Sequence, residues 1–411
     1  MIRTERHIIV KSHANYKDVD NLCFLSKNLC FLSKNLYNYA NYLIRQEFIK
    51  NGKWLRYEEL DRILKESNQI DYRSLSIQTS QCVLDLLDKN WKSFFKAVKE
   101  YKKNLSKFLG RPKIPKYKDK IKGRNIVVFT YVQVRLENGY IYFPKKSNLE
   151  PLKTKINNLQ QVRIIPQSSC YVIEVVYRKE KKEHDLDSNL YLGIDLGIDN
   201  LATLTTNLED KNPLLVNGKV IKSINQFYNK YKAKLMSYVG DRGISNRIRR
   251  LTFRRNNMIN NYLHHTSRFI INYCIENKIK NIVIGYNKEW KQEINIGRVN
   301  NQKFVNIPYL TLINQIKYKA EEVGIDVILN EESYTSKCDS LALEKIKKHE
   351  TYLGRRIKRG LFQSNVGKLI NADVNGSLNI LRKVIGDDFI NLINKSCVLQ
   401  PVRMNILTKG V

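Results

Sequence analysis

Residues 191–196 read YLGIDL, an apolar run interrupted by one carboxylate, Asp195, with Gly197 directly after it. Such a run has the make-up of a strand inside a sheet, where an ionised side chain is costly unless a cation or hydrogen-bond donors meet it. The rest of the domain must therefore bring that compensation to the end of a central strand. The downstream pattern suits this. Residues 201–207 (LATLTTN) predict a second strand across a tight Gly-containing turn, 219–224 (KVIKSI) a third, 281–285 (NIVIG) a fourth and 326–330 (DVILN) a fifth. Residues 224–239 and 244–277 predict two long basic helices. A further helix opens at Pro308, turns Leu310, Ile313, Ile316, Ala320 and Val323 inward and stops at Gly324, and a closing helix spans 373–384. This order indicates a mixed α/β domain over residues 186–411.

Two other carboxylate positions accompany Asp195. Asp373 opens the closing helix in INADVNGSLNILRKV, and Glu331 and Glu332 follow the fifth strand. Each has a plainer reading alone: Asp195 as a turn former, Asp373 as a helix N-cap, the Glu pair as a solvated loop. Together, on one strand, one strand end and one helix start, they suit a metal site. In-line hydrolysis of a phosphodiester calls for two Mg²⁺ ions about 3.5–4 Å apart, and such hard cations prefer carboxylate oxygens. No Ser/His/Asp order, P-loop or GxGxxG is present, and His264–His265 lacks the spacing of a zincin pair.

The first 185 residues differ in character. NLCFLSK occurs twice in succession, at 21–27 and 28–34, within a helix-periodic segment, and reads as a duplication that lengthens one helix. A second helix over 76–101 carries Val83, Leu84, Leu87, Trp91, Phe94, Phe95 and Val98 at core spacing, with Gln78 and Gln81 near its start able to meet base edges. Residues 101–125 hold Lys113, Lys116 and other cations, broken by Gly110, Pro112 and Pro115, and predict a basic arm that tracks a nucleic-acid backbone. Residues 125–178 alternate as strands.

The charge balance names the partner class. With 72 Lys+Arg against 39 Asp+Glu, the formal net charge is +33, and a polyanion is the natural counterweight. No apolar run approaches ~18 residues, so no membrane span is expected, nor is a secretory signal. The seven cysteines are scattered without a CxxC pair, which fits a reducing cytoplasm, and a nucleic-acid partner there sets the expected place beside the nucleoid.

GIDLGIDNLATL, ESYTSK at 332–337 and NADVNGSLNIL at 371–381 resemble, in order, the RuvC-like nuclease of the TnpB family, transposon-encoded RNA-guided DNA endonucleases also labelled OrfB transposases. The resemblance implies an α+β multidomain chain. Residues 1–185 form a nucleic-acid recognition lobe, with helices over about 15–110 set into a small β-barrel wedge, its strands mainly at 125–180; residues 186–411 form an RNase H-like (RuvC) α/β nuclease with a basic insert at 335–370. It further implies a guide RNA from the transposon end, a double-stranded DNA target recognised beside a short adjacent motif, and two Mg²⁺ ions. Asp195 matches the first metal-binding Asp and Asp373 the last.

The chain departs from that pattern twice. Gly285 stands where the family places a Glu at the end of strand four, with Glu289 four residues on; Glu332 is expected to supply the third carboxylate. Strand four lies between strands one and five in such a sheet, so Glu332 starts about 9–10 Å from Asp195, and Gly285 leaves the space between open. Between Thr335 and Asp373 only Cys338 and His349 remain where many relatives carry four zinc-binding Cys, so no structural zinc is expected. The insert is instead basic, with Arg355, Arg356 and Arg359 expected to touch nucleic acid. Arg247, Arg249, Arg250, Arg254 and Arg255 recur along one helix and suit the phosphates of a guide–target heteroduplex. A protein that binds DNA under RNA guidance without cutting it, as a repressor, is the alternative that Gly285 keeps open.

Overall fold

The computed structural model describes residues 1–11, 13–14, 16, 29–167, 169–240, 243–287 and 307–406. The first NLCFLSK copy and Glu289 lie outside them. The chain divides into two compact units, Met1–Lys179 and Glu180–Val411.

In the first unit, strands β1 (Ile2–Ile9), β7 (Tyr171–Arg178), β6 (Leu159–Pro166) and β2 (Val127–Thr130) form an antiparallel sheet in that spatial order, and β3 (Arg135–Glu137), β4 (Tyr140–Tyr142) and β5 (Leu152–Lys153) a smaller one. Strand β1 is absent from the expectation above because its alternating residues are mostly charged: it is an edge strand, with every residue but Ile9 at least partly exposed. Helices α1 (Leu29–Asn51), α2 (Tyr57–Glu66), α3 (Ile70–Ser74) and α4 (Ile77–Lys103) pack Leu36, Tyr37, Ile44, Leu84, Leu87 and Trp91 into a core shared with Phe129, Ile164 and Ile173.

One face of α1 is polar for a reason. Lys34, Asn38, Asn41 and Arg45 fall at helical spacing, and each donates to a backbone carbonyl of the proline-containing segment: Lys34 to Lys120, Asn38 to Lys118, and Asn41 and Arg45 to Pro115, at 2.6–3.0 Å. Asn38 also accepts from the Lys118 amide, and Arg45 lies over the Tyr117 ring. The basic stretch expected as a backbone-tracking arm is, from Pro115 to Asn125, a strap laid along α1, with Lys113 and Lys116 exposed. Pro112 and Pro115 prevent a helix there, so the backbone has carbonyls to spare, and the α1 side chains satisfy them. Gln78 is occupied within this unit, accepting from the Thr130 hydroxyl at 2.7 Å, and Gln81 is half-buried.

The second unit is built on a six-stranded sheet in the order β12-β11-β8-β9-β10-β16. Strands β8 (Asp187–Asp195), β9 (Asn200–Thr206) and β10 (Leu214–Asn217) run antiparallel as a meander; β11 (Ile279–Gly285) and β12 (Asp326–Asn330) join parallel on the β8 side, and β16 (Val402–Met404) pairs parallel with β10. The third strand is therefore 214–217, and KVIKSI instead begins helix α5 (Lys219–Val239), followed by α6 (Asn246–Glu276) and α7 (Tyr309–Glu322). Val220 and Ile221 gave KVIKSI a strand-like look, yet their neighbours to Val239 keep helical spacing and Ile221 is buried as a helical residue. Ile282 and Ile284 point to a core with α6 and α7, and Val283 between them to a second core with α8 (Ala372–Ile385). Strands β13 (Arg355–Lys358), β14 (Leu361–Gln363) and β15 (Leu369–Asn371) make a separate antiparallel sheet that leads into α8. Among the described residues no helix is long and apolar enough to cross a membrane.

Candidate active site and basic cleft

Helix α8 organises the site from one face. Its cap is Asn371, whose side chain accepts from the Asp373 and Val374 amides, so Asp373 is not needed as a cap and its carboxylate is left for other contacts. Asp373 accepts from the Asn200 amide at 2.7 Å. One turn on, Gly376 faces Asp195: a Cβ there would lie 2.9 Å from the Asp195 carboxylate. Ser377 bonds to the Gly193 and Thr203 carbonyls and to Thr205, fixing α8 across β8 and β9. Another turn on, Ile380 faces Gly285, and at the far end Lys383 donates to the Glu331 and Ser333 carbonyls, holding the turn that carries Glu332.

Strand register completes the arrangement. Ile194 pairs with Ile284, and Gly285 pairs with Asn330, so Asp195 and Gly285 are neighbours at the ends of parallel strands. Both face α8. A Cβ on Gly285 would meet the Glu332 carboxylate at 2.9 Å and the Ile380 side-chain tip at 2.5 Å. The Glu332 carboxylate therefore stands over Gly285, in the volume a side chain at 285 would fill.

The electrostatics link the three acids. Burial pushes the Asp195 carboxyl well above the usual carboxylate range, and the charges of Asp373 and Glu332 push it further, against an opposing pull from Arg356. Glu332 is raised to about 7, first by burial and then by Glu331, with Lys383 opposing. Burial and the same two acids, Asp195 and Glu332, also raise the Tyr309 phenol, which donates to the Gly197 carbonyl at 2.9 Å. Among the described residues no three Asp, Glu, His or Cys side chains close into a metal cage. The donors are nonetheless of the type that hard divalent cations take, and like charges gathered in a half-buried site are stabilised by one.

Next to the acids is a cleft of about 610 Å³, lined by Asp199, Asn200, Asn371 and Asp373 and by Lys219, Lys222, Arg356, Arg359 and Arg403. Arg359 pairs with Asp199 at 2.6 Å and Lys222 with the same carboxylate at 3.1 Å, tying the β13–β15 sheet to the cleft floor. Sequence reasoning reached Arg356 and Arg359 but missed Lys219, Lys222 and Arg403; the first two were hidden by reading KVIKSI as a strand. Arg355 is exposed and donates to Gln363. Arg247, Arg249, Arg250 and Arg254 are exposed on α6, whereas Arg255 turns onto α5, donating to Asn225 at 2.6 and 2.8 Å beside the Tyr228 ring.

The insert has its own scaffold. Asp339, fully buried, accepts from the Leu341, Ala342 and Asn365 amides and twice from Ser364. Glu344 accepts from the Asp339 and Leu353 amides, and Arg382 of α8 donates to the Asp339 and Glu344 carbonyls. The Cys338 thiol donates to the Lys345 and Lys347 carbonyls.

Residues 174–291 match the family OrfB_IS605, described as a probable transposase, and residues 309–380 match the Cas12f1-like TNB domain. No curated protein sequence matches the chain. Among solved structures, a Cas12f1–sgRNA–target DNA complex matches with TM-score 0.53 at 13% identity, over 92% of this chain and 98% of that one. The mini-RNA-guided endonuclease CRISPR-Cas_phi3 matches with TM-score 0.49 at 9% identity, over 93% and 92% of the two chains. The first is a likeness of fold. The two family matches take in the residues where the three motifs stand, at 174–291 for the first and 309–380 for the other two.

Proposed function

We propose that this protein is an RNA-guided DNA endonuclease of an insertion sequence, which hydrolyses phosphodiesters at Asp195, Glu332 and Asp373. What supports the reading is that Asp195, against α8, feels the charges of both Asp373 and Glu332, and that Asp373 opens onto a cleft rimmed with Lys and Arg. Magnesium, when bound, supplies a water acidified for attack and positive charge for the leaving oxygen. The chain's own groups do the rest. Asp195 and Asp373 present oxygens from β8 and the first turn of α8, with Asn200 orienting the latter. Glu332 adds a third from beyond β12, across the gap left by Gly285. Arg356, Lys219 and Arg403 hold the phosphate backbone in the cleft, and the position of Arg356 beside Asp195 suits it to the charge that develops there. The first unit is assigned the guide and the motif beside the target, with Lys113 and Lys116 on its exposed face. The four exposed arginines of α6 are assigned to heteroduplex phosphates.

Small-RNA sequencing of the purified protein, followed by plasmid cleavage in Mg²⁺, tests the reading. Wild type with its RNA should cut the matched plasmid, and Asp195→Ala should not. If Glu332→Ala cuts as fast as wild type while Glu289→Ala does not, the third acid is misassigned. Gly285 favours a second reading, a guided repressor that binds without cutting; bound RNA and target affinity without Asp195-dependent cleavage would establish it instead.

A further inference from the structure

Helix α5 carries a stripe that the cleavage reading leaves unused. Phe227, Tyr231, Lys234 and Tyr238 fall within one narrow sector of the helix, at spacings of four, three and four residues. Phe227 is 57% exposed, Tyr231 46% and Tyr238 72%, and the first two rings stack on each other with centroids 4.4 Å apart. The inner side of α5 is committed elsewhere: Ile221 and Asn225 are buried, and Tyr228 bonds to Thr252 of α6. An amphipathic surface helix ordinarily keeps its large rings inward, so three on the outer sector ask for a ligand.

Charge and position choose among ligands. No acidic residue occurs from Lys219 to Val239 or from Asn246 to Ile275, and Lys230 and Lys234 are exposed beside the rings. A second copy of this hairpin would meet it with like charge, so self-pairing is disfavoured. The helix begins in the cleft: Lys219 and Lys222 line it together with Asp373. From Lys222 to Tyr238 the helix rises about 24 Å, the reach of roughly four unpaired nucleotides. We propose that the outer stripe of α5 is a stacking track for the unpaired DNA strand that enters or leaves the cleft, its bases on Phe227–Tyr231 and Tyr238 and its phosphates on Lys230 and Lys234. Aromatic faces accept any base, so the track holds single strands without reading sequence. The proposal rests on the nuclease reading for the direction of the strand.

The test is binding of a fluorescent 15-mer of deoxythymidylate to the full chain, freed of RNA and held in EDTA, so that cleavage plays no part. The variant Phe227→Ala/Tyr231→Ala/Tyr238→Ala should weaken binding about tenfold or more. Its melting temperature and its slope of log K against log salt should stay as in wild type. Lys230→Ala/Lys234→Ala should instead flatten that slope by about 1.4, at ~0.7 per phosphate contact. Tyr231→Phe/Tyr238→Phe should bind as wild type. The track is overturned if the triple variant binds the oligomer unchanged. It is also overturned if only a ribo-oligomer loses affinity, if wild type sediments as a dimer that the triple variant dissolves, or if the variant loses only anionic-vesicle binding. A chain that fails to cut plasmid yet shows the aromatic-dependent loss keeps the track and refutes the nuclease reading.

Discussion

At the scale of single residues, the central point is an exchange of position. Gly285 has room for no more than a hydrogen because the Glu332 carboxylate and the Ile380 tip occupy its side-chain volume. Gly285→Ala should therefore displace Glu332 and lower cleavage, with a far smaller change in melting temperature than in rate. Glu332→Ala removes one of the two occupants and leaves only the Ile380 tip to turn aside, so adding Gly285→Glu to it should recover part of the lost cleavage, measured as initial rates on plasmid. A second consequence follows from acidity. The fold disfavours the ionised form of Glu332, raised to about 7, so its contribution to stability is full below about 4.5 and is lost as pH rises through about 7. Thermal melts without metal should accordingly fall between pH 5 and pH 8, and Glu332→Gln should flatten that fall. Magnesium should raise the melting temperature more at pH 8 than at pH 5.5, because the acids must lose protons to bind it.

At the scale of elements, α8 and the insert stand or fall together. Asp339 holds three backbone amides and a hydroxyl in a fully buried site, so Asp339→Ala strands them all. It should cost at least ~3 kcal/mol in chemical denaturation and open residues 339–370 to protease before the rest of the chain. Much of this architecture was legible in advance: β12 and α8 show in the short β-branched apolar run of DVILN and the periodicity of ADVNGSLNILRKV. The acids at their ends could be named for the same reason. What escaped was whatever tertiary contact decides. Val220 and Ile221 suggest a strand locally, but the chain from Lys219 onward has one helical face to bury. Strands β1 and β16 are edges whose residues are mostly polar or few, so pairing rather than pattern defines them. The 101–125 stretch reads as a backbone-tracking arm because its cations dominate the composition. Its backbone carbonyls, which a sequence does not display, are what α1 grips.

At the scale of the whole molecule, the +33 charge divides into cations that serve the fold and cations that face outward. Lys34 and Arg45 hold the strap, Arg382 the insert and Arg255 the α5–α6 hairpin; Arg247, Arg249, Arg250 and Arg254 are exposed. Replacing any of the latter four by Ala should leave the melting temperature alone and reduce the salt slope of duplex binding by about 0.9 per lost phosphate contact. Arg255→Ala should do the opposite, lowering the melting temperature with little change in slope. The arrangement under α8 also has a meaning for how such a molecule changes over time. Since Ile380 bounds one small volume that two adjacent strand ends both reach, a carboxylate can be delivered into it from either strand. Two lineages could thus trade the donor position in a few substitutions, passing through a doubly supplied or briefly silent intermediate, while every other part of the molecule stayed in place.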